Sequence, residues 1–399
     1  MEFREYTVEE LVRLNMLEKP MDGNHGGKHP TSKDYVKKGI PFIMVSDINN
    51  GKINYNTCKY ISKSTRNGLD KGFSKPNDVL LSHKATIGLT AIVGEEFEEI
   101  VLTPQITYYR VIKGINNRYL KYYFDSAYFQ NILSSWATSG STRAYLGITA
   151  QLKLPIILPD INIQNKIAKM LSDIDKKIEL NNQINDNLHE LAQVLFEEDL
   201  NKENLENYKL EDLFYQIAPG TNYQPKRVED GIPFLNVKNI NSGYIDFSDS
   251  KYISEEDYAK VHKTWQPEEN DLLISRIGTL GLVAVIRKED LPLAVHYNFL
   301  NLKTNKIPFE FGYFMLKSQY FQTKYKLNIK NSVQEYVTVD DIRKIEVDIP
   351  QLNDMEKYKV LYNKILNIQR ENRFLTQLRD SLLPKLMSGE IDLDKIENY

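Results

Sequence analysis

The stretch that decides the fold is GIPFIMVSDINNGKI, which begins at Gly39, because a close copy of it, GIPFLNVKNINSGYI, begins at Gly231. The two stretches lie 192 residues apart, and each runs on into the residues KYIS, at Lys59 and at Lys251. This period is far longer than the roughly 20–50 residues of a solenoid repeat. The repeat therefore predicts two tandem domains of one fold.

The correspondence continues through the rest of each half. KPNDVLLSHKATIGLTAIV from Lys75 matches PEENDLLISRIGTLGLVAVI from Pro267, so that Lys84 lies near Arg276. Positions between the shared blocks differ, which suits two modules with one scaffold and different recognition surfaces. A duplication in which both halves do the same thing is the alternative. The other matched features are Asp78 with Asp271, Gly88 with Gly281, YLKYYFDSAYFQ from Tyr119 with FEFGYFMLKSQYFQ from Phe309, STRAYLGIT from Ser141 with SVQEYVTVD from Ser332, and the closing prolines Pro159 and Pro350.

Composition limits the class of protein. Hydrophobic residues make up 41% of the 399 residues and charged residues 26%, which is ordinary for a soluble globular protein. The sequence has no apolar run long enough to span a bilayer and no signal peptide at its start, and its single cysteine, Cys58, excludes an internal disulfide. We therefore expect a cytoplasmic protein with no membrane partner.

The net charge of −3 argues mildly against nucleic-acid binding, although affinity for phosphate depends on local patches rather than on the total. The candidate basic stretches are residues 33–38, 59–66 and 317–330. Each stretch could equally be an ordinary solvated surface.

Each half is predicted to be an α+β domain. Short runs rich in Val, Ile, Phe and Tyr, broken by Gly, Asn and Pro, indicate strands at residues 40–45, 78–81, 87–93 and 106–112. Helical apolar spacing indicates a helix at residues 119–133 and another at 311–327.

A long helix is predicted after each domain. Residues 162–200 contain no Gly or Pro, and their apolar positions recur at spacings of three and four, with a polar break at residues 181–183 that suggests a shift of phase. A second such helix follows Pro350, with Asn372 at a core-like position. The expected seams are Ile167, Leu171, Ile174, Ile178, Ile184, Leu188, Leu191 and Leu195 in the first helix, and Leu361, Ile365, Ile368, Leu375, Leu382 and Leu386 in the second.

These seams need partners, because a lone helix cannot bury its apolar stripe. Antiparallel pairing of the two helices is the simplest solution, and it predicts a pseudo-two-fold arrangement of the halves. The alternative is that each helix packs on its own domain. The predicted division is residues 1–160 for the first domain, 161–204 for the central coiled-coil helix, 205–350 for the second domain, and 351–399 for the C-terminal coiled-coil helix and tail.

The sequence offers no catalytic constellation. His25 and His29 have helical ligand spacing, but HGGKH is rich in glycine and lacks the glutamate of a zinc-protease helix. GGKH at Gly26 is not a phosphate loop, because Asp22 stands where the first glycine should be. We found no amino-methyltransferase motif, nuclease cluster or nucleophile elbow. The sequence therefore predicts a protein that binds and does not catalyse, with no metal site and no cofactor of its own.

The duplicated α+β domain, with a long helix after each copy, resembles the specificity subunit of type I restriction–modification enzymes. The matching blocks are GIPF with its following Asn-Gly or Ser-Gly turn, DLLISRIGTLG, the loop before each closing proline, and the ending LLPKLMSGEI from Leu382. The resemblance covers essentially the whole chain. Each block is weak alone, but their order, repeated twice, is fairly specific.

The resemblance implies a function for each part. Each α+β domain would be a target recognition domain that reads one half of a split, asymmetric site in double-stranded DNA. The helix pair would fix the gap between the halves. Two methyltransferase subunits carrying S-adenosylmethionine would dock on the helices, and a motor-nuclease subunit is the further partner that the resemblance allows.

The predicted DNA contacts are polar loop residues at equivalent places in the two copies, since base edges are read by Arg, Lys, Asn, Gln, Ser and Thr. Arg143 departs from the family, whose loop more often has Gln there. The same side chains could instead cap strands and turns. The candidates are Lys84, Thr86, Ser141, Thr142 and Arg143 in the first copy, and Arg276, Thr279, Asn298, Ser332 and Gln334 in the second.

Two other functions compete with DNA recognition. One is a trimmed restriction–modification enzyme, which binding of S-adenosylmethionine by the pure chain would reveal. The other is a coiled-coil protein–protein scaffold without a DNA role, which steeply salt-dependent binding of random duplex DNA would contradict.

Overall fold

The computed structural model describes residues 3–137, 145–241, 243–330, 335–351, 355–391 and 393. The chain forms two compact units, here called the first unit (Met1–Glu179 with Asn372–Tyr399) and the second unit (Leu180–Glu371). Each unit mixes sheets and helices, which confirms the predicted α+β class.

The first unit is built on a four-stranded and a five-stranded sheet. The four-stranded sheet has the order β10-β9-β12-β2 and the five-stranded sheet the order β3-β7-β4-β11-β8, while β1 pairs with β13 and β5 with β6. The strands are β1 (Arg4–Thr7), β2 (Met21–Asp22), β3 (Tyr35–Val36), β4 (Ile40–Ile43), β5 (Ile48–Asn49), β6 (Lys52–Ile53), β7 (Lys59–Ile61), β8 (Phe73–Ser74), β9 (Val79–Lys84), β10 (Thr86–Ile92), β11 (Ile100–Leu102), β12 (Ile106–Tyr109) and β13 (Pro155–Leu158). The helices are α1 (Val8–Arg13), α2 (Lys63–Asn67), α3 (Asn117–Asp125), α4 (Ala127–Ala137) and α5 (Ile148–Gln151).

The long helix α6 (Ile161–Leu200) begins in the first unit and ends in the second. The second unit repeats the plan with sheets of order β15-β24-β21-β22 and β16-β20-β17-β23, and with the pairs β14-β25 and β18-β19. Its strands are β14 (Glu206–Lys209), β15 (Phe214–Pro219), β16 (Arg227–Val228), β17 (Ile232–Leu235), β18 (Ile240–Asn241), β19 (Tyr244–Ile245), β20 (Lys251–Ile253), β21 (Leu272–Ser275), β22 (Val283–Val285), β23 (Ala294–Val295), β24 (Phe299–Thr304) and β25 (Glu346–Ile349). Its helices are α7 (Leu210–Leu213), α8 (Glu255–Val261), α9 (Phe309–Lys317), α10 (Gln319–Lys326) and α11 (Val339–Arg343), and α12 (Glu356–Ser388) follows.

Each predicted helix of the domains is in fact two helices. A buried serine, Ser126 or Ser318, takes an extended backbone conformation between them. Ser318 Oγ accepts a hydrogen bond from the amide of Phe321 and so caps α10, and Ser126 Oγ does the same for Phe129. The single-helix prediction was wrong because serine caps a new helix more readily than it continues an old one.

The same glutamine contact joins sheet and helices in both units. Gln130 Nε2 donates to the carbonyl of Gly88 at 2.9 Å, and Gln322 Nε2 donates to that of Gly281 at 3.0 Å. Both glycines have positive φ, 90° and 77°, which a residue with a Cβ rarely adopts. The matched Gly88 and Gly281 of the sequence are therefore backbone positions that this contact requires.

A buried carboxylate also recurs. In the first unit Asp78 binds the Arg110 guanidinium through both oxygens at 2.8 Å. In the second unit Asp271 lies 3.5 Å from Lys303 Nζ and accepts a hydrogen bond from Asn301 at 2.9 Å. The aligned aspartates thus keep one place in the fold with different cations.

The buried side of α6 differs from the predicted seam. Asn181, in the supposed polar break, and Asn185, just after it, are buried, and so are Ala192 and Phe196, while Ile184 and Leu191 are exposed. Leu188 and Leu195 are half-buried against the second unit's core. The helix therefore does not shift phase at residues 181–183, because amides line its buried side there.

Within the second unit, α6 and α12 run antiparallel. Asn181 Nδ2 donates to Glu371 at 2.8 Å, and Asp199 accepts from Lys357 Nζ at 2.6 Å and from the Tyr358 hydroxyl at 2.7 Å. The residue numbers rise along one helix as they fall along the other, which confirms the predicted antiparallel pairing in this unit. Within the first unit, Arg379 donates to Asp175 at 3.0 Å.

Candidate nucleic-acid interface

One end of the first unit's four-stranded sheet carries an exposed turn. Strand β9 ends at Lys84 and β10 begins at Thr86, with Ala85 between them at a φ of 68°. All three residues are exposed. The two predicted contacts Lys84 and Thr86 therefore lie together, with side chains that solvent reaches.

Two other segments reach the same end of the sheet. The amide of His83 donates to the carbonyl of Gln105, just before β12, at 2.9 Å. Lys84 forms an isolated antiparallel bridge with Tyr145, whose side chain is 46% exposed. The Lys84 ammonium lies 5.8 Å from the centre of the Tyr145 ring. The turn, the start of β12 and Tyr145 thus form one surface.

We call this surface the first rim and define it by His83, Lys84, Thr86, Gln105 and Tyr145. His83 is fully buried beneath it, and its Nδ1 lies 3.0 Å from the carbonyl oxygen of Leu146. Because a carbonyl only accepts, Nδ1 carries the proton. Burial lowers the pKa of this imidazole to about 4, so His83 is neutral near pH 7.

The second unit forms an equivalent surface, the second rim, defined by Arg276, Ile277, Thr279, Asn298 and Tyr336. The amide of Arg276 donates to the carbonyl of Asn298 at 2.7 Å, and Ile277 bridges Tyr336. Arg276 is half-buried and Thr279 exposed. The predicted contacts Arg276, Thr279 and Asn298 therefore come together at this rim.

Side chains fix the second rim from within. Arg276 Nε donates to the carbonyl of Val337 at 3.0 Å, and Ser275 Oγ donates to that of Thr279 at 2.6 Å. The buried Oδ1 of Asn298 has no hydrogen-bond partner among the described residues. Two side-chain bonds to backbone carbonyls therefore hold the second rim in place.

The remaining predicted contacts fall outside the described residues. These are Ser141, Thr142 and Arg143, before Tyr145, and Ser332 and Gln334, before Tyr336. Their contact with DNA stays a prediction, as it does for the five candidates at the rims.

Alignment of the two repeats did not identify His83 and Gln105 as residues of the candidate interface. It placed Lys84 near Arg276, whereas hydrogen bonds make His83 the counterpart of Arg276 and Lys84 that of Ile277. The sequence contained the signal for this alignment. Asp78 and Asp271 are 193 residues apart, and the same offset pairs His83 with Arg276.

The candidate basic stretches are partly neutralised. Arg66 forms a two-pronged pair with Glu99 at 2.6 and 2.7 Å, and Lys330 pairs with Asp341 at 2.9 Å. Among the described residues, Lys84 contacts the Tyr145 ring and makes no ion pair. A cation without a carboxylate partner is the kind that can neutralise a phosphate.

Within the described ranges, no group of three or more His, Cys, Asp and Glu residues could hold a metal ion. Among the same residues, no helix combines the length and apolar character that crossing a membrane requires.

Comparison with known proteins gives these surfaces a context. The family model for the type I restriction modification DNA specificity domain matches residues 16–190 and again residues 202–378. The type I restriction enzyme MjaIX specificity subunit of Methanocaldococcus jannaschii is 25% identical over 409 residues, which cover 93% of this chain and 91% of that protein. The EcoBI specificity subunit of Escherichia coli is 23% identical over 400 residues, with coverage of 89% and 81%.

A solved structure shares the fold. The crystal structure of the type I restriction–modification system S subunit from M. genitalium matches with a TM-score of 0.54 at 17% identity, and it covers 97% of this chain and 96% of that one. The duplicated family match spans most of both units and confirms the resemblance drawn from the repeated blocks. This chain therefore belongs to the family of type I restriction–modification DNA specificity subunits.

Proposed function

We propose that this chain reads a split, asymmetric site in duplex DNA, with the first rim facing one half-site and the second rim the other. As a type I specificity subunit, it recognises DNA sequence and acts with other subunits of its complex. The observation that carries the finer proposal is the pair of rims, which share their backbone contacts and differ in their side chains.

The chemistry of the rims supports two different half-sites. Glutamine pairs with adenine through two hydrogen bonds in the major groove, threonine can contact several bases, and lysine neutralises phosphates. The second rim presents the exposed Thr279, whereas the first presents Lys84 and Gln105 around a buried, neutral His83. Two scaffolds of one shape with unlike polar groups suit two unlike sequences.

The chain itself is the recognising, non-catalytic partner, and the methyltransferase subunits supply S-adenosylmethionine and the transfer of the methyl group. The exposed side of α6 supports their docking. Leu180, Ile184, Leu191 and Val194 are between 45 and 51% exposed and share one face, roughly 120° round the helix from its buried side. An exposed apolar stripe of this kind marks an interaction surface.

The direct test of the function is to map methylated adenines in a host that carries this gene and its methyltransferase partner. We expect methylation at one split sequence, in the cytoplasm where chromosome and enzyme meet. The purified chain alone should neither methylate nor cut DNA. Methyl transfer by the pure chain, free of partner, would refute the division of labour.

The docking face has its own test. Leu191→Ser with Val194→Ser should abolish co-purification with the methyltransferase and leave the unfolding temperature of the chain unchanged, because both side chains are exposed. Glu190→Ser, an exposed polar position beside the stripe, is the matched control. Undiminished co-purification of the double variant would exclude this face as the docking surface.

We further propose that the lengths of α6 and α12 set the number of base pairs between the half-sites. Four residues inserted after Glu179 and four after Glu371 fall where the two compact units meet in sequence, so each unit keeps its internal contacts. Four residues add about 6 Å of helix, which corresponds to one or two base pairs at roughly 3.4 Å each. Methylation of duplexes that differ only in spacer length should shift accordingly, and an active variant with the original spacer would contradict the proposal.

A further inference from the structure

Each rim contains one bond from a side chain to a backbone carbonyl at the same place. His83 Nδ1 donates to the carbonyl of Leu146 in the first rim, and Arg276 Nε donates to that of Val337 in the second, both at 3.0 Å. We call this bond the clamp. An imidazole and a guanidinium thus make one contact in two copies of the fold.

The surrounding backbone is the same in both copies. The amide of Leu146 donates to the carbonyl of His83 at 2.9 Å, and that of Val337 to the carbonyl of Arg276 at 3.0 Å. Each clamp residue is therefore tied to its partner twice, once through the backbone and once through its side chain. Two bonds between the same pair of residues restrict the rotation that a single bond would leave free.

The residues held by the clamp adjoin the surface tyrosines. Tyr145 precedes Leu146, and Tyr336 precedes Val337. The Tyr145 ring lies 5.8 Å from the His83 ring, centre to centre, and Tyr336 forms backbone bridges to Ile277 and to Lys330. The clamp thus fixes the segment that places each tyrosine at its rim.

We propose that His83 and Arg276 are positioning residues, which hold Tyr145 and Tyr336 in register with the rest of each rim and so set half-site discrimination through the backbone. The bond persists although the side chain differs in charge, since the buried His83 is neutral and arginine is a cation. What the two copies share is the clamp and not a positive charge at this position. This inference rests on the proposed function of the rims as DNA-reading surfaces.

Each rim carries at the clamp position the residue that serves as the conservative substitution in the other rim, so a variant can remove the clamp or restore it with a different side chain. Arg276→Ala removes the clamp, whereas Arg276→His replaces it with the group that makes it in the first rim. His83→Ala and His83→Arg form the reciprocal pair. Each variant is assembled with the methyltransferase, and binding is measured on duplexes altered in one half-site at a time, across a series of salt concentrations.

We expect Arg276→Ala to lose about tenfold in discrimination at the second half-site, as a lost bond of about 1.4 kcal/mol would give, with the first half-site as internal control. Arg276→His should recover most of that loss at an unchanged salt slope. The His83 pair should act in the same way on the first half-site. Amide hydrogen exchange at Leu146 and Val337 should quicken in the alanine variants and return to the wild-type rate in the exchanged ones.

Two results would overturn the inference and leave the proposed function intact. One is an Arg276→His variant as impaired as Arg276→Ala with a shallower salt slope, because Arg276 would then contact DNA itself. The other is an alanine variant with unaltered discrimination and exchange, because the clamp would then position nothing. A wild-type complex that methylates no split site would instead overturn the proposed function, and this inference with it.

Discussion

The two units share an internal framework, and they differ in side chains at the rims and beside the long helices. Gln130 and Gln322 make the same bond to a glycine carbonyl, yet aligned residues of the preceding helices α3 and α9 have changed chemistry. In the first unit Lys121 pairs with Asp125 at 2.7 Å, whereas the aligned residues of the second unit are Tyr313 and Lys317, joined by a 3.2 Å hydrogen bond. Because Tyr313 is buried against His189 of α6 and Tyr362 of α12, the difference teaches that a duplicated domain retains the contacts that shape its backbone and varies side chains that pack on its long helices.

The largest expected effect follows from exchanging residues 205–350 for the matching domain of a relative. If each unit reads independently, one half of the methylated site changes completely and the other stays. Specific and non-specific binding of DNA commonly differ by about 10³–10⁷-fold, so the switch should be unambiguous. Sequencing of methylated sites measures it, and a simultaneous change in both half-sites would mean that the units are coupled.

The aligned aspartates should differ in their contribution to stability. Asp78→Asn removes one charge of a buried, two-pronged pair with Arg110, and breaking such pairs costs about 3 kcal/mol. Asp271→Asn should cost about 1 kcal/mol, because burial raises the pKa of Asp271 and Lys303 keeps Glu268 at 2.5 Å. Urea unfolding of both variants gives the comparison, and equal losses would show that the two pairs are equivalent.

Acid should weaken the second unit more than the first. Burial lowers the pKa of His83 in the first unit to about 4, and those of His189 and His262 in the second to about 3 and about 4. The unfolded chain binds protons below its histidine pKa of 6.5 and the folded chain does not, so stability is complete above that pH and falls towards pH 4.

Each histidine contributes at most about 1.4 kcal/mol per pH unit to this loss. Hydrogen exchange at pH 7 and pH 5, resolved by peptide, should therefore show a larger decline in the second unit. His189→Gln, which cannot take up the proton, should narrow the difference between the units. A first unit that weakens as much as the second would contradict the assignment.

The smallest expected effect concerns the equivalent rim positions Lys84 and Ile277, where the first rim has a cation and the second an apolar residue. Lys84→Ile gives the first rim the side chain of the second, and the loss of one phosphate contact should weaken binding to all sequences and reduce the salt slope by about 1. Ile277→Lys is the reciprocal variant and should strengthen binding by a similar factor. A change confined to one base pair would instead identify Lys84 as a base contact.

The repeated blocks were sufficient to predict two α+β units and the long helices, because shared glycines, aspartates and apolar runs encode the framework directly. They misplaced the buried side of α6, since Asn181 and Asn185 occupy positions that apolar spacing assigns to leucine and isoleucine. An amide can be buried where it finds a partner, as Asn181 does in Glu371, and no local pattern identifies a partner 190 residues away.

The candidate interface was predicted in part. Glycine and polar residues mark the turns at the end of a sheet, so sequence analysis could place five candidates at the rims: Lys84, Thr86, Arg276, Thr279 and Asn298. The role of the fully buried His83 depends on a carbonyl 63 residues later, which only the fold brings near.

The assignment of Asn372–Tyr399 to the first unit has a consequence for the order of synthesis. Leu386, Met387 and Leu393 lie in the same apolar core as Val8 and Leu11, so a ribosome must translate the whole second unit before that core can close. At roughly 5–20 residues per second this takes about 10 to 40 seconds, during which the nascent first unit lacks part of its interior. A stop codon shortly before Leu386 would therefore damage the half of the protein that was made first.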